Sequence, residues 1–387
     1  MSPTSLHSHQ RGLSLVELMV AMVIGLIVSL AIFYTLQNFE SRKRTTTSLN
    51  DIEQAGNFAM FALDRLIRSA GSGLVQGDGG LLGCSLLAAK QGTQVLPRTA
   101  ALPPPFANVN TGEANVFRLI PLLIVPGAAT NGSDVLVVMS GNAGYGETSS
   151  QLTANAAASE LKLAGTLGFA QGDLILLAGK RGDASSPCML TQVNATTTTT
   201  LSLVGAYHAS AINGKQITSY TGGVDPDQSS NVSNLGKLGS GNSPFTVIGA
   251  SDNALSGFDL LQFDSAASYP IAENVRSMYA LYGIRNSDGS ISWNEATGVY
   301  APASLGANDE VAFKRLLSIK AVRIGLILRT SLLEKEEVGP SSIKLFSDLG
   351  SPVEITENIP SDERNYRYRT IESTIPLRNL LSISDQS

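Results

Sequence analysis

With 387 residues, 43% of them hydrophobic and 15% charged, and a formal net charge of -5, the chain has globular composition and length for one large or two modest cores. The mildly acidic balance excludes a general nucleic-acid surface, which needs clustered Lys and Arg to neutralise phosphates. The imidazoles are His7, His9 and His208, two of them ahead of the first apolar run, so histidine-based catalysis or zinc ligation has almost nothing to work with.

Residues 1–12 are polar and weakly basic, and from Leu13 to Phe39 the chain is apolar, with Glu17 as the single formal charge and no proline. At 1.5 Å per helical residue, 18 or more such residues cross a hydrocarbon layer of about 30 Å. The run is too long for an ordinary secretory signal, and no small-residue cleavage site follows it. Cleavage is therefore expected ahead of the run. A carboxylate one turn inside a membrane helix costs on the order of 2.5 kcal/mol or more, which makes Glu17 a functional candidate. Arg42, Lys43 and Arg44 follow directly and read as an interfacial anchor.

From Leu49 to Ser69 the pattern becomes amphipathic. Ile52, Ala55, Ala59, Ala62 and Leu66 recur at helical spacing, widened by Phe58, Leu63 and Ile67. The helix is predicted to run to about residue 70 and stop at Gly71 and Gly73. This divides the chain into 1–12, a leader; 13–40, a membrane or filament-core helix; 41–70, its amphipathic continuation; and 71–387, a β-rich head. The second half of the helix is expected to pack on a sheet while the first half projects.

Residues 71–130 are rich in Gly and Pro and read as loop with short elements. Strands are predicted at Asp134 to Met139, Glu160 to Ala164, Asp173 to Ala178, Met189 to Val193, Leu201 to Val204, Phe258 to Phe263 and Val275 to Arg285. The stretch 208–256 turns to Gly, Ser and Asn and reads as a loop insertion with weak strands. Ile319 to Thr330 alternates Val322, Ile324, Leu326 and Leu328 against Arg323, Gly325 and Arg329, the pattern of a half-buried strand. Two cysteines, Cys84 and Cys188, in a chain that leaves the cytosol suggest one disulfide, with two buried thiols as the alternative.

The string Gly12-Leu13-Ser14-Leu15-Val16-Glu17 resembles the type IV prepilin signal. The resemblance implies cleavage by prepilin peptidase between Gly12 and Leu13, N-methylation of Leu13, and pairing of Glu17 with the amine of a neighbouring subunit. Leu13 and Ser14 stand where the family more often has Phe and Thr. Elementary electrostatics points the same way: a buried carboxylate needs a partner, and the nearest cation is the amine that cleavage creates. A charge count alone, with three basic residues after the span and Arg11 before it, would invert the topology; the combined pattern of leader, cut and glutamate outweighs it.

Downstream, S-D-V-L-V-V at Ser133, G-D-L-I-L-L at Gly172, V-R-I-G-L-I-L-R at Val322 and Y-R-Y-R-T-I-E-S-T-I-P-L-R-N at Tyr366 resemble the PilW-type minor pilins. The resemblance implies an α+β, pilin-like fold: a long N-terminal helix, transmembrane in its first half, packed on a mainly antiparallel β-sheet with large loop insertions. It implies a subunit in the inner membrane of a Gram-negative bacterium, with a periplasmic head, that later joins an extracellular pilus and helps initiate assembly at or near the tip. The partners implied are other minor pilins, the major pilin, prepilin peptidase, the inner-membrane assembly platform, a tip adhesin and, before assembly, the lipid bilayer. The rival readings are a J-type pseudopilin of type II secretion, and a membrane-anchored periplasmic binding protein or enzyme.

No G-x-S-x-G, H-E-x-x-H, Walker loop or G-x-G-x-x-G occurs, so no catalytic residue, metal or cofactor is expected. Asn286, Asp288, Gly289 and Glu295 partly imitate a calcium loop, but its first ligand position falls on Ile284. A hairpin turn at Asp288-Gly289 is expected instead, and Asp225 and Asp227 are read as an exposed turn.

Overall fold

The computed structural model describes residues 14–74, 82–141, 149–179, 186–223, 225, 229–238 and 243–381. The arrangement is α+β and pilin-like, a long apolar N-terminal helix followed by mostly antiparallel sheets. One helix runs unbroken from Leu15 to Ser69. The chain divides into two units, Met1–Asp51 and Ile52–Ser387. From Leu15 on, the first is helix, and its large apolar side chains are exposed, from Leu15 to Phe39.

In the second unit the helix buries Ile52, Ala59, Leu63 and Ile67 completely. The buried stripe also takes in Gly56, and this rotates it away from the predicted face. A Cβ on Gly56 would lie 2.2 Å from Leu328 Cδ1 and 2.7 Å from Ile371 Cδ1, so the missing side chain is what lets the helix backbone settle onto the sheet. Phe58, expected to widen the buried stripe, is 55% exposed as a consequence, and Phe61 beside it is 65% exposed. The helix ends where expected, with Gly71 at φ 79° and Gly73 at φ 70°. Its last carbonyls are capped from the far end of the chain: Asn379 Nδ2 donates to Ala70 O at 2.9 Å.

Three larger sheets form, where the sequence reading had one. The sheet under the helix has the antiparallel order Ile291–Asn294, Val275–Arg285, Ile319–Arg329, Tyr368–Pro376. A second has the order Tyr269–Glu273, Ala254–Asp259, Phe245–Ser251, Val135–Met139, Leu122–Val125. The third, eight-stranded, is built around Leu86–Lys90, Cys188–Thr196, Asp173–Ala178 and Asn231–Lys237. Leu86–Lys90 and Cys188–Thr196 pair in parallel, and the disulfide sits at the start of that pairing.

Two sequence expectations change here. Ile319–Arg329 is buried on both faces. On one face Leu328 meets the helix at Gly56. On the other, Ile327 and Leu281 pack with Ile343, Leu345, Phe346, Val353 and Ile359 from the hairpin Ser342–Leu345/Ile355–Asn358 and its connections. A Cβ on Gly325 would lie 3.0 Å from both Leu345 Cδ1 and Phe346 Cζ, so that glycine seats the hairpin. The stretch 208–256 is also more than loop, since it contains two internal strands. Phe245–Ser251 is buried along its whole length, and Asn231–Lys237 is buried from Val232 to Gly236. Their small and polar residues are there because neighbours supply the bulk or the bonds. Phe106 and Val135 side chains lie 3.1 Å from a Cβ on Gly249, and Asn234 Nδ2 donates to Gly168 O at 2.7 Å and Asp173 Oδ2 at 2.9 Å.

Candidate functional site

The charged N-terminal end of the apolar helix is the place where sequence and geometry concentrate. Ser14 N–H donates to Glu17 Oε2 at 2.9 Å, and Glu17 N–H donates to Ser14 Oγ at 3.2 Å. This is a reciprocal capping box, which satisfies two helix-terminal donors and sets a negative charge at the positive end of the helix dipole. The Glu17 side chain therefore turns back toward the N-terminal end of the chain, and its Oε1 has no hydrogen bond among the described residues. The expected pairing of Glu17 with a cation does not include this bond to Ser14. The signal was available as S-x-x-E ahead of an apolar run. Gly12 and Leu13, the expected cleavage and methylation residues, lie outside the described residues.

Behind this end, Leu15–Gln37 forms 23 residues of mean hydropathy 2.7, none of it buried by the rest of the chain. The Ser29 and Thr35 hydroxyls within it are satisfied by the helix itself. Ser29 Oγ donates to Gly25 O at 2.8 Å and Thr35 Oγ1 to Ala31 O at 2.9 Å. Such a surface offers an apolar environment almost no unpaired polar group, which is the condition for residing in hydrocarbon or in a bundle of similar helices. Lys43 and Arg44 are exposed beyond it.

In the head, the ionisable groups are built into the fold. Asp134, 7% exposed, accepts from Gly127 N–H through Oδ1 at 3.0 Å and from Ala280 N–H through Oδ2 at 3.0 Å. Its own N–H donates to Met278 O at 2.9 Å. One residue thus ties the start of Val135–Met139 to the middle of Val275–Arg285, joining two sheets. Burial pushes its carboxyl up to about 6, against the downward pull of the two N–H donors, with a further upward push from Glu295. Tyr282, fully buried, makes a second tie between the same sheets, its hydroxyl accepting from Ile124 N–H at 2.7 Å. Burial raises that phenol.

His208 shares a hydrogen bond with Thr191, Nδ1 to Oγ1 at 2.9 Å, and burial pushes its imidazole down. Cys84 and Cys188 are bonded to each other, with Cα atoms 5.7 Å apart and a sequence separation of 104. Asp288-Gly289 is a hairpin turn joining Val275–Arg285 to Ile291–Asn294, with Ser290 N–H donating to Asp288 Oδ1 at 2.9 Å and Gly289 at φ 83°. Asp225 O accepts from Ser229 Oγ at 2.9 Å, a local turn contact, and Asp227 lies outside the described residues. No group of three or more His, Cys, Asp or Glu side chains converges as a metal cage among the described residues.

Residues 7–33 match the family described as the prokaryotic N-terminal methylation motif, which brackets the capping box and the start of the apolar helix. Residues 249–379 match the family described as Type IV Pilus-assembly protein W, and this segment contains the whole sheet on which the helix packs. No curated protein and no solved structure matches the chain.

Proposed function

We propose that this chain, a type IV pilus-assembly protein of the PilW family carrying an N-terminal methylation motif, is a minor pilin that helps initiate the filament and stays at or near its tip. Prepilin peptidase cuts between Gly12 and Leu13, and the new amine of Leu13 is methylated. The subunit is held in the inner membrane by its helix, head in the periplasm, until the assembly platform draws it into the growing pilus beside other minor pilins and the major pilin. An adhesin at the tip is the outermost partner in this reading.

The observation that carries the proposal is the exposed 23-residue apolar helix whose first turn holds an exposed carboxylate, bonded through one oxygen to Ser14 N–H. Moving that helix from lipid into a filament exchanges one apolar environment for another, so burial alone drives little of the transfer. Packing against neighbouring helices supplies part of the difference. The Glu17 carboxylate, paired with the amine of an adjoining subunit, supplies directionality and register.

The test is Glu17→Ala in the full chain. Cleavage should proceed, while recovery of the subunit in sheared pili should fall at least tenfold; recovery equal to the native chain refutes the role of Glu17. Mass spectrometry of the N-terminus checks the processing step, where methylated Leu13 is expected and an intact Met1 overturns it.

A further inference from the structure

Trp293, the single tryptophan, stands on Ile291–Asn294 opposite Gly283 of the neighbouring strand. A Cβ on Gly283 would lie 2.9 Å from Trp293 Cζ3 and 3.1 Å from Cη2, so the glycine leaves the indole room against the sheet. Two turns complete a cleft of about 540 Å³ around it. One is closed by Tyr300 N–H donating to Thr297 O at 3.0 Å, and it brings in the Tyr300 ring, centred 6.4 Å from that of buried Tyr282. The other joins Ser342–Leu345 to Ile355–Asn358. Leu349 N–H donates there to Phe346 O and Glu354 N–H to Gly350 O, both at 3.0 Å, and the turn contributes Leu349, Pro352 and Val353 to the wall. The volume falls within the range of small-molecule sites, about 300 to 1,000 Å³.

Among the described residues that line this cleft, Glu295 alone carries a formal charge. Its exposed carboxylate joins no hydrogen bond or ion pair among the described residues, and its field reaches the buried Asp134. Elsewhere in the head, a ring beside a carboxylate holds an arginine of the chain itself. Arg98 lies 4.9 Å from the ring centre of Phe258 and pairs with Asp264. Arg323 lies 5.5 Å from that of Phe346 and pairs with Glu372, and Arg329 lies 4.5 Å from that of Tyr366 and pairs with Glu363. At Trp293, Tyr300 and Glu295 the rings and the carboxylate are in place, and no Lys or Arg of the described residues lines the cleft with them.

We infer that this cleft binds a small organic cation of the alkylated ammonium type, with no phosphate attached, held by the Trp293 and Tyr300 rings and the Glu295 carboxylate. Aromatic rings attract such a cation through their quadrupoles, most strongly where water is displaced. The apolar walls at Leu349, Pro352 and Val353 suit N-methyl groups, whereas one carboxylate is too few ligands for a hard metal ion. A phosphate beside the cation would meet Glu295 with no Lys or Arg to pair it.

The test uses the full chain in a non-ionic polyoxyethylene detergent, with choline chloride as the probe and sodium chloride at matched ionic strength as the salt control. Neohexyl alcohol, in which carbon replaces the quaternary nitrogen of choline, is the uncharged ligand of the same shape. Trp293 fluorescence reads occupancy of the cleft, and saturation-transfer NMR on the choline methyl protons reads binding without it. Choline should bind saturably and at least tenfold more tightly than the alcohol. Glu295→Gln should weaken choline at least tenfold, leave the alcohol unaffected and keep the native urea midpoint, because the Glu295 side chain bonds to nothing among the described residues. Tyr300→Leu should weaken choline while the alcohol, which needs only apolar surface, is held as before. Phosphocholine should bind at least tenfold less tightly than choline. A choline response no different from that of sodium chloride overturns the inference, as do equal affinities for choline and the alcohol, or an unaltered choline affinity in Glu295→Gln. Phosphocholine binding as tightly as choline overturns the assignment to a cation without phosphate.

Discussion

Asp134 allows a quantitative test of how the two sheets are joined. Its carboxyl rises from 3.8 to about 6 on folding because it is desolvated between Val135–Met139 and Val275–Arg285. A raised pKa means that the folded chain binds the proton more tightly than the unfolded one. The stability it contributes is fully present below the unfolded pKa of 3.8 and is lost as pH rises through about 6. At 1.36 kcal/mol per unit the whole effect is about 3 kcal/mol, of which about 2 kcal/mol falls between pH 4.5 and pH 7. Asp134→Asn removes the titration and keeps the shape, although its amide can accept only one of the two N–H donors. Leaving the other donor unpaired costs about 1 to 3 kcal/mol at every pH. Trp293 is the single tryptophan and lies in the sheet beside this junction, so its fluorescence follows urea unfolding of the head in the full chain in detergent. The native chain should lose about 2 kcal/mol more than Asp134→Asn on going from pH 4.5 to pH 7. Parallel pH profiles for the two proteins would refute the argument.

The second tie between the same sheets should be weaker: Tyr282→Phe strands the buried Ile124 N–H and is expected to cost about 1 to 3 kcal/mol, independent of pH below 8, by the same unfolding assay. Replacing both cysteines by serine opens a loop of 104 residues and should destabilise the head by about 4 to 5 kcal/mol on chain-entropy grounds, seen as a lowered urea midpoint; a loss under 1 kcal/mol counts against it. Gly56→Val forces methyl groups into Leu328 and Ile371 and should cost about 1 to 3 kcal/mol, whereas the same change at Gly25, which has nothing within 4 Å, should leave the head's unfolding unchanged.

The long helix from Leu15 to Ser69 was legible from sequence because its constraints are local. An apolar run of this length can only be a helix in search of an apolar environment, and the glutamate and the Gly71 stop are each read from residues within a turn or two. The strands Asp173–Ala178 and Val275–Arg285 were legible for a similar reason, since their aliphatic and aromatic residues carry their own signal. Asn231–Lys237 and Phe245–Ser251 were read as loop because their apolar partners, Phe106 and Val135 among them, come from distant sequence.

Three things belonged to tertiary structure alone. The face of the helix that meets the sheet is set by close approach at Gly56, and a hydrophobic pattern counts Phe58 as core because it cannot see a contact made by an absent side chain. The double burial of Ile319–Arg329 depends on the hairpin Ser342–Leu345/Ile355–Asn358 folding over Gly325, which alternation within the strand does not encode. The open edge at Tyr368–Pro376 is a property of strand order, since a sequence can mark a strand but only the assembled sheet decides which strand is last.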